Sequence, residues 1–243
     1  MSQQDFAERP PWTRPGFIAA AALVLIVIAA GVLIAVLGPD DSNDADGPPP
    51  ASSASVSPAP EGSPDQALPT AIPTTAPQGV RWELVGPLPA PFSDTAGPTQ
   101  VTDTTASGFT HTPEGALIAA AQILVRVSLG REYWEPTIKG QLVPSQDRDQ
   151  LLAQMATVDS SQVDPGALSR IAGFQYLSYT PDTAVIGLVM RAPSAGSPQY
   201  HVLSLTLLWR DGDWQMQAPP GGAWVSVNRV TSDLTGVVEW GPQ

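Results

Sequence analysis

Residues 112–130 read TPEGALIAAAQILVRVSLG, and this stretch decides the fold. Thr112 is a good N-cap, because its side-chain oxygen can accept an otherwise orphaned N–H of the first turn. Pro113 fits the first helical position, where its missing donor costs nothing, and Glu114 suits the positive end of a helix. The run that follows is apolar on nearly every face until Gly130. A single exposed helix would show one apolar stripe only, so this one is predicted to be a core helix wrapped by other elements. With Gln122 and Arg126 inside it and a length of about 15 residues, it falls short of the roughly 20 apolar residues of a membrane span.

Downstream, a short amphipathic stretch covers Arg131 to Lys139, and Ser145 can cap a helix over Gln146 to Thr157 with Leu151, Leu152 and Met155 on its inner side. The period then changes from helical to two. Ile171 to Tyr179 and Thr183 to Arg191 read as strands, the second apolar on both faces and so central. Leu203, Leu205, Leu207 and Trp209 alternate onto one face, Asp211-Gly212 signals a two-residue type I′ turn, and Trp214 and Met216 resume the pattern. That register sets Trp209 opposite Trp214 and Arg210 opposite Asp213, pairing aromatics on one face and charges on the other. An extended stretch over Ala223 to Arg229 and an edge at Val237 to Trp240 complete the series. Helices followed by antiparallel strands make an α+β domain. One long apolar helix in a curved four-stranded antiparallel sheet is the layout of the cystatin-like, nuclear-transport-factor-2-like fold, which hosts enzymes, ligand binders and scaffolds alike.

Upstream, residues 81–98 form a proline-rich lead-in containing Pro87, Pro89, Pro91 and Pro98. Residues 38–80 hold ten prolines, six acidic residues and no basic one, so they are expected to form a disordered acidic linker. Its reach lies between about 35 Å as a flexible coil and about 130 Å fully extended. Before it, residues 17–37 read FIAAAALVLIVIAAGVLIAVL, without a charge or a proline. At about 1.5 Å per residue this run matches the hydrocarbon thickness of a bilayer and is expected to be a transmembrane helix contacting lipid. Arg9 and Arg14 precede it, and no Lys or Arg follows until Arg81, which puts residues 1–16 in the cytoplasm and residues 81–243 outside it. A cleaved signal peptide is the rival reading, but the run is long for one and Ala35-Val36-Leu37-Gly38-Pro39 is a poor cleavage site. With no cysteine in the chain, lipidation there is excluded.

The net charge of −12 divides between the linker, at minus six, and the domain, with nine basic against fifteen acidic residues. Nucleic acid is therefore not expected as a direct ligand, since binding phosphates needs a basic stripe. The two histidines, His111 and His201, do not make a transition-metal site without cysteines. His111, near Glu114 and Asp103, could make a His–carboxylate acid/base pair, but a loop histidine organising the start of the helix is the better reading. His201 reads as half-buried at a strand end. Asp147 and Asp149 read as a solvated helix start, Glu132 and Glu135 as surface charge beside Arg131 and Lys139, and Pro219-Pro220-Gly221-Gly222 as a turn rather than a phosphate cradle. Trp209, Trp214, Trp224 and Trp240 suit core packing better than a pocket. No catalytic, cofactor-binding or metal-binding residue is assigned, and no enzyme is expected.

The run Gly108-Phe109-Thr110-His111-Thr112-Pro113-Glu114-Gly115-Ala116, with Ala119, Ala120 and Ala121 after it, resembles a family of uncharacterised actinobacterial membrane-anchored proteins of mobile conjugative elements. Trp82-Glu83-Leu84-Val85 and Gly97-Pro98 share the resemblance, which covers roughly residues 80–240. It implies a bitopic, non-catalytic scaffold of a type IV secretion-like DNA-transfer apparatus, with other membrane or secretion-complex proteins, or further copies of itself, as partners. The alternative expectation is an extracytoplasmic accessory protein holding a lipid or small apolar ligand. An apolar cavity on the concave face of the sheet would favour the ligand binder, and a filled core the scaffold.

Overall fold

The computed structural model describes residues 68–158, 165–193 and 199–242. The expected membrane span at 17–37, and all of the linker before Leu68, lie outside the described residues. Among the described residues no helix is long and apolar enough to cross a membrane.

The chain is α+β. Two short ribbons, β1 (Val80–Val85) with β2 (Leu88–Ser93) and β3 (Gln100–Val101) with β4 (Ala106–Ser107), precede three helices, α1 (Pro113–Val127), α2 (Arg131–Gln141) and α3 (Gln146–Met155). A curved antiparallel sheet follows, built from β5 (Arg170–Thr180), β6 (Thr183–Ala192), β7 (Gln199–Arg210), β8 (Asp213–Met216), β9 (Asn228–Thr231) and β10 (Val238–Glu239). Its order is β10-β5-β6-β7-β8, with β9 also on β7. The sheet thus has six strands, the four expected for its main part and two short ones from the C-terminal segment, of which β10 is the edge expected at Val237 to Trp240.

Helix α1 behaves as its sequence dictates. The Thr112 side chain accepts the N–H of Gly115, and every side chain from Gly115 to Val127 is buried. The concave face of the sheet covers one side through Ala184, Ile186 and Leu188 of β6, Phe174 of β5 and Leu207 of β7, each at 0 % exposure. The β1–β2 ribbon covers the opposite side, with Leu88 and Ala90 packed into the same core. A helix sandwiched between a sheet and a ribbon has no solvent face, which is why it carries no polar stripe.

The proline-rich lead-in contains a hairpin, which its prolines did not announce. Its two-residue turn at Gly86-Pro87 makes Val85 and Leu88 a hydrogen-bonded pair, so pairs 83:90 and 81:92 are hydrogen-bonded as well. Pro89 and Pro91 then occupy the non-hydrogen-bonded positions opposite Leu84 and Trp82, where a missing N–H removes no ladder bond.

The β7–β8 hairpin has the predicted register, Trp209 opposite Trp214 and Arg210 opposite Asp213. Its turn residues Asp211 and Gly212 have φ of 54° and 81°, the left-handed pair that a type I′ turn requires. The expected charge pair does not form. The Asp213 carboxylate instead accepts the backbone N–H groups of Gly108 (2.8 Å) and Phe109 (3.0 Å), fastening the segment before α1 to the hairpin. The stretch Ala223 to Arg229 is likewise not one extended segment. A 3-10 turn over Trp224–Val227 precedes β9.

Candidate functional site

The start of α1 is cross-braced to the sheet by several side chains. Trp214 donates its indole N–H to the Thr110 carbonyl (2.9 Å), and Tyr176 donates its hydroxyl to the Pro113 carbonyl (2.5 Å). Burial pushes the Tyr176 phenol well above its ordinary pKa. His111 Nε2 meets the Pro181 carbonyl at 2.7 Å, which makes that nitrogen the N–H donor, and the ring stacks on Trp209. The Ser93 hydroxyl reaches Glu114 at 3.4 Å. His111 and Glu114 are thus both near the helix start, but neither bonds the other. The acid/base alternative for His111 is not assembled, and the residue organises the start of the helix.

Elsewhere the singled-out polar residues are also separated. His201 Nδ1 faces the Asn228 side-chain amide, with Oδ1 at 3.3 Å and Nδ2 at 3.1 Å; the amide orientation and the imidazole tautomer choose between them. Neither histidine touches a carboxylate. Among the described residues no group of three or more His, Cys, Asp and Glu side chains is placed to hold a metal. Glu135 accepts from both Arg131 (2.7 Å) and Lys139 (2.6 Å) one turn away on either side, and these bonds pull its pKa down to about 2. It is a surface clamp on α2, as the sequence suggests.

A cleft of about 310 Å3 lies on the rim of the sheet. It arises where β7 changes its edge partner. β8 pairs with Leu207–Arg210 and β9 with Tyr200–Leu203, and the intervening Ser204, Leu205 and Thr206 floor the cleft. Gln217, Pro219 and Trp224 from the β8–β9 connection form one wall, and Ser145 and Asp147 at the start of α3 the other. Asp147 Oδ1 accepts the Gly221 N–H (2.9 Å), while Gln154 donates to the Gly221 carbonyl (2.8 Å). Gly222, at φ 69°, packs so closely on α3 that a Cβ there would lie 2.4 Å from the Leu151 nitrogen. Pro219-Pro220-Gly221-Gly222 is thus the element that docks the connection on α3. The lining mixes hydroxyl, amide and apolar groups with a single carboxylate already engaged. It can surround a small polar molecule, but it brings no general acid beside a general base.

Of the four tryptophans considered for a pocket, Trp214 and Trp240 are buried in the core, Trp209 carries His111, and only Trp224 lines the cleft. The sequence reading missed Ser204, Thr206 and Gln217, since nothing local marks the point where β7 changes partner.

A second feature is Arg126. It is 1 % exposed, yet no carboxylate faces it. Its Nη1 donates to the carbonyl (3.3 Å) and the side-chain oxygen of Gln122, and its Nε has no partner. Gln122 in turn donates to the Pro91 carbonyl of β2. Burial lowers the guanidinium pKa to about 10, so the group is still charged at neutral pH.

No curated protein matches the chain, and neither does any solved structure. One family profile does match, that of a domain of unknown function, DUF8175, over residues 44–239. The match spans both ribbons, all three helices and the whole sheet, and on that basis the chain belongs to the DUF8175 family.

Proposed function

We propose that this protein is a single-pass, membrane-anchored, non-catalytic assembly component of a conjugative, type IV secretion-like DNA-transfer apparatus, with residues 17–37 as its anchor and the α+β domain outside the cytoplasm. The observation that supports this reading is the filled concave face of the sheet. In the nuclear-transport-factor-2-like layout that we infer for the domain, a ligand cavity or active site would open between that face and the helix lying on it. Here α1 packs against the sheet with no exposed space left on these residues, Leu117, Ile118 and Ile123 being at 0 % exposure and Ile186 and Leu188 at the same value. A lipid has no room there. A domain whose interior is full acts through its surface, and the resemblance around Gly108–Ala116 supplies the assembly in which that surface would work.

A second reading, a small-ligand accessory module, draws on the rim cleft of about 310 Å3 beside Trp224. It would take a small polar molecule rather than a lipid.

Deleting the gene from a donor strain that carries the element, and measuring transfer of a marked plasmid, tests the first reading. Transfer should be lost on deletion and restored by the full chain, but not by a chain lacking residues 17–37. Undiminished transfer after deletion would refute it.

A further inference from the structure

The β1–β2 ribbon has two outer edges, and they differ. On β2 the outward-facing positions include Pro89 and Pro91, which have no N–H to offer, and the Pro91 carbonyl is taken by Gln122. That edge is closed. On β1 the outward-facing backbone belongs to Val80, Trp82 and Leu84, because Arg81, Glu83 and Val85 pair with β2. Among the described residues no strand lies alongside this edge, and no hydrogen bond engages its outward N–H and C=O groups. Leu84 is 74 % exposed on it. An open edge of this kind is a template for another strand.

The sequence of the edge indicates which strand. Residues 80–84 read Val-Arg-Trp-Glu-Leu. Turned end for end, the segment is its own chemical complement, with an apolar residue at each end, opposite charges inside them and tryptophan at the centre. We propose that β1 pairs antiparallel with β1 of a second copy of this chain, about a two-fold axis at Trp82. Trp82 then faces Trp82 of the second copy, Arg81 faces Glu83, and Leu84 faces Val80. The parity agrees. An axis at Trp82 makes 82:82 and 80:84 the hydrogen-bonded pairs, and these are the residues whose N–H and C=O groups point outward. It makes 81:83 the close, non-hydrogen-bonded pairs, where opposite charges stabilise an antiparallel ladder.

Little has to be given up to form it. Arg81 now reaches Glu83 (3.2 Å) and Asp94 (2.5 Å) of its own chain, and all three side chains are more than half exposed. Such surface pairs contribute little. A two-fold contact of this type uses the same patch on both copies and therefore closes as a dimer. The inference rests on the ribbon alone, so it stands or falls independently of the role in DNA transfer.

The absence of cysteine makes the test specific. Full-length chains carrying Arg81→Cys and Glu83→Cys, each with its own tag, are co-expressed and mildly oxidised in the membrane. The expected product is a disulfide between the two variants, since facing residues in a non-hydrogen-bonded pair lie within disulfide reach. Neither variant should crosslink when expressed alone, because like positions are two residues out of register and more than about 7 Å apart. Leu84→Pro, added to both, removes one outward N–H at a site that costs β1–β2 no ladder bond, and should abolish the crosslink while thermal stability holds. No mixed disulfide, self-crosslinking as strong as the mixed product, or a crosslink that survives Leu84→Pro would overturn the proposal.

Discussion

His111 lies flat against Trp209, with ring centroids 3.9 Å apart and planes 5° from parallel. The imidazole is held there because its Nε2 bonds the Pro181 carbonyl in the β5–β6 turn (2.7 Å), so one side chain ties the start of α1 to that turn and to strand β7. Trp214 meets the same imidazole edge-on, with centroids 5.9 Å apart. Stacked aromatic pairs couple by about 0.5–1.5 kcal/mol beyond the area they bury. A double-mutant cycle with His111→Ala and Trp209→Ala, followed by urea unfolding, should give a coupling of about 1 kcal/mol. Additive losses would mean that the stack carries no energy of its own.

Gly115 lies in the first turn of α1, where alanine would ordinarily improve a helix by about 1 kcal/mol. A Cβ there would lie 2.0 Å from the Thr110 carbonyl oxygen, a backbone atom fixed by the indole of Trp214. Gly115→Ala is therefore expected to destabilise the domain by about 2 kcal/mol or more, through the displaced backbone. A rise in melting temperature would contradict the packing described at this end of α1.

Arg126 is a buried cation without a carboxylate. Removing an uncompensated buried charge should stabilise, and Met fills a similar volume. Part of the gain is lost because the Gln122 side-chain oxygen is left without its donor, at about 1–3 kcal/mol. Arg126→Met is expected to leave the urea-unfolding free energy at pH 7 unchanged or raise it by about 1–2 kcal/mol. A fall of similar size would mean that the guanidinium has a required partner.

The clamp on α2 sets an acid response. Glu135 has its pKa drawn down to about 2 by hydrogen bonds from Arg131 and Lys139, whereas an unfolded Glu titrates near about 4.3. A carboxylate with a depressed folded pKa stabilises above the unfolded value and loses that contribution as pH falls toward the folded one. The difference in stability between the wild type and Glu135→Gln should be present at pH 6, shrink below about 4.3 and vanish near about 2. A difference independent of pH across that window would count against the clamp.

Local signals in the sequence carried far, and distant pairings did not. The Thr112-Pro113-Glu114 start and the Ser145 cap mark their helices, because a cap is a contact within one turn. Asp211-Gly212 fixes the β7–β8 register for the same reason. The β1–β2 ribbon was hidden because Pro89 and Pro91 argue against a strand unless their hydrogen-bonding parity is known, and that parity depends on the turn at Gly86-Pro87. The rim cleft was hidden more deeply. It exists because β9 returns to pair with Tyr200–Leu203 some residues short of where β8 ends, a partnership across the chain with no local mark. The direction of the Asp213 carboxylate belongs to the same class, since Gly108 and Phe109 are distant in sequence. The near-total burial of α1 was legible from its composition, but the ribbon that completes it was not.

The most direct test of the account is affinity capture of the full-length, membrane-extracted protein after mild crosslinking in its native cells, with its partners identified by mass spectrometry. An assembly role predicts recovery of a secretion ATPase, a coupling protein or a polytopic channel subunit, joined through residues of the α+β domain. Recovery of lipid-transport subunits, or of bound lipid alone, would contradict it.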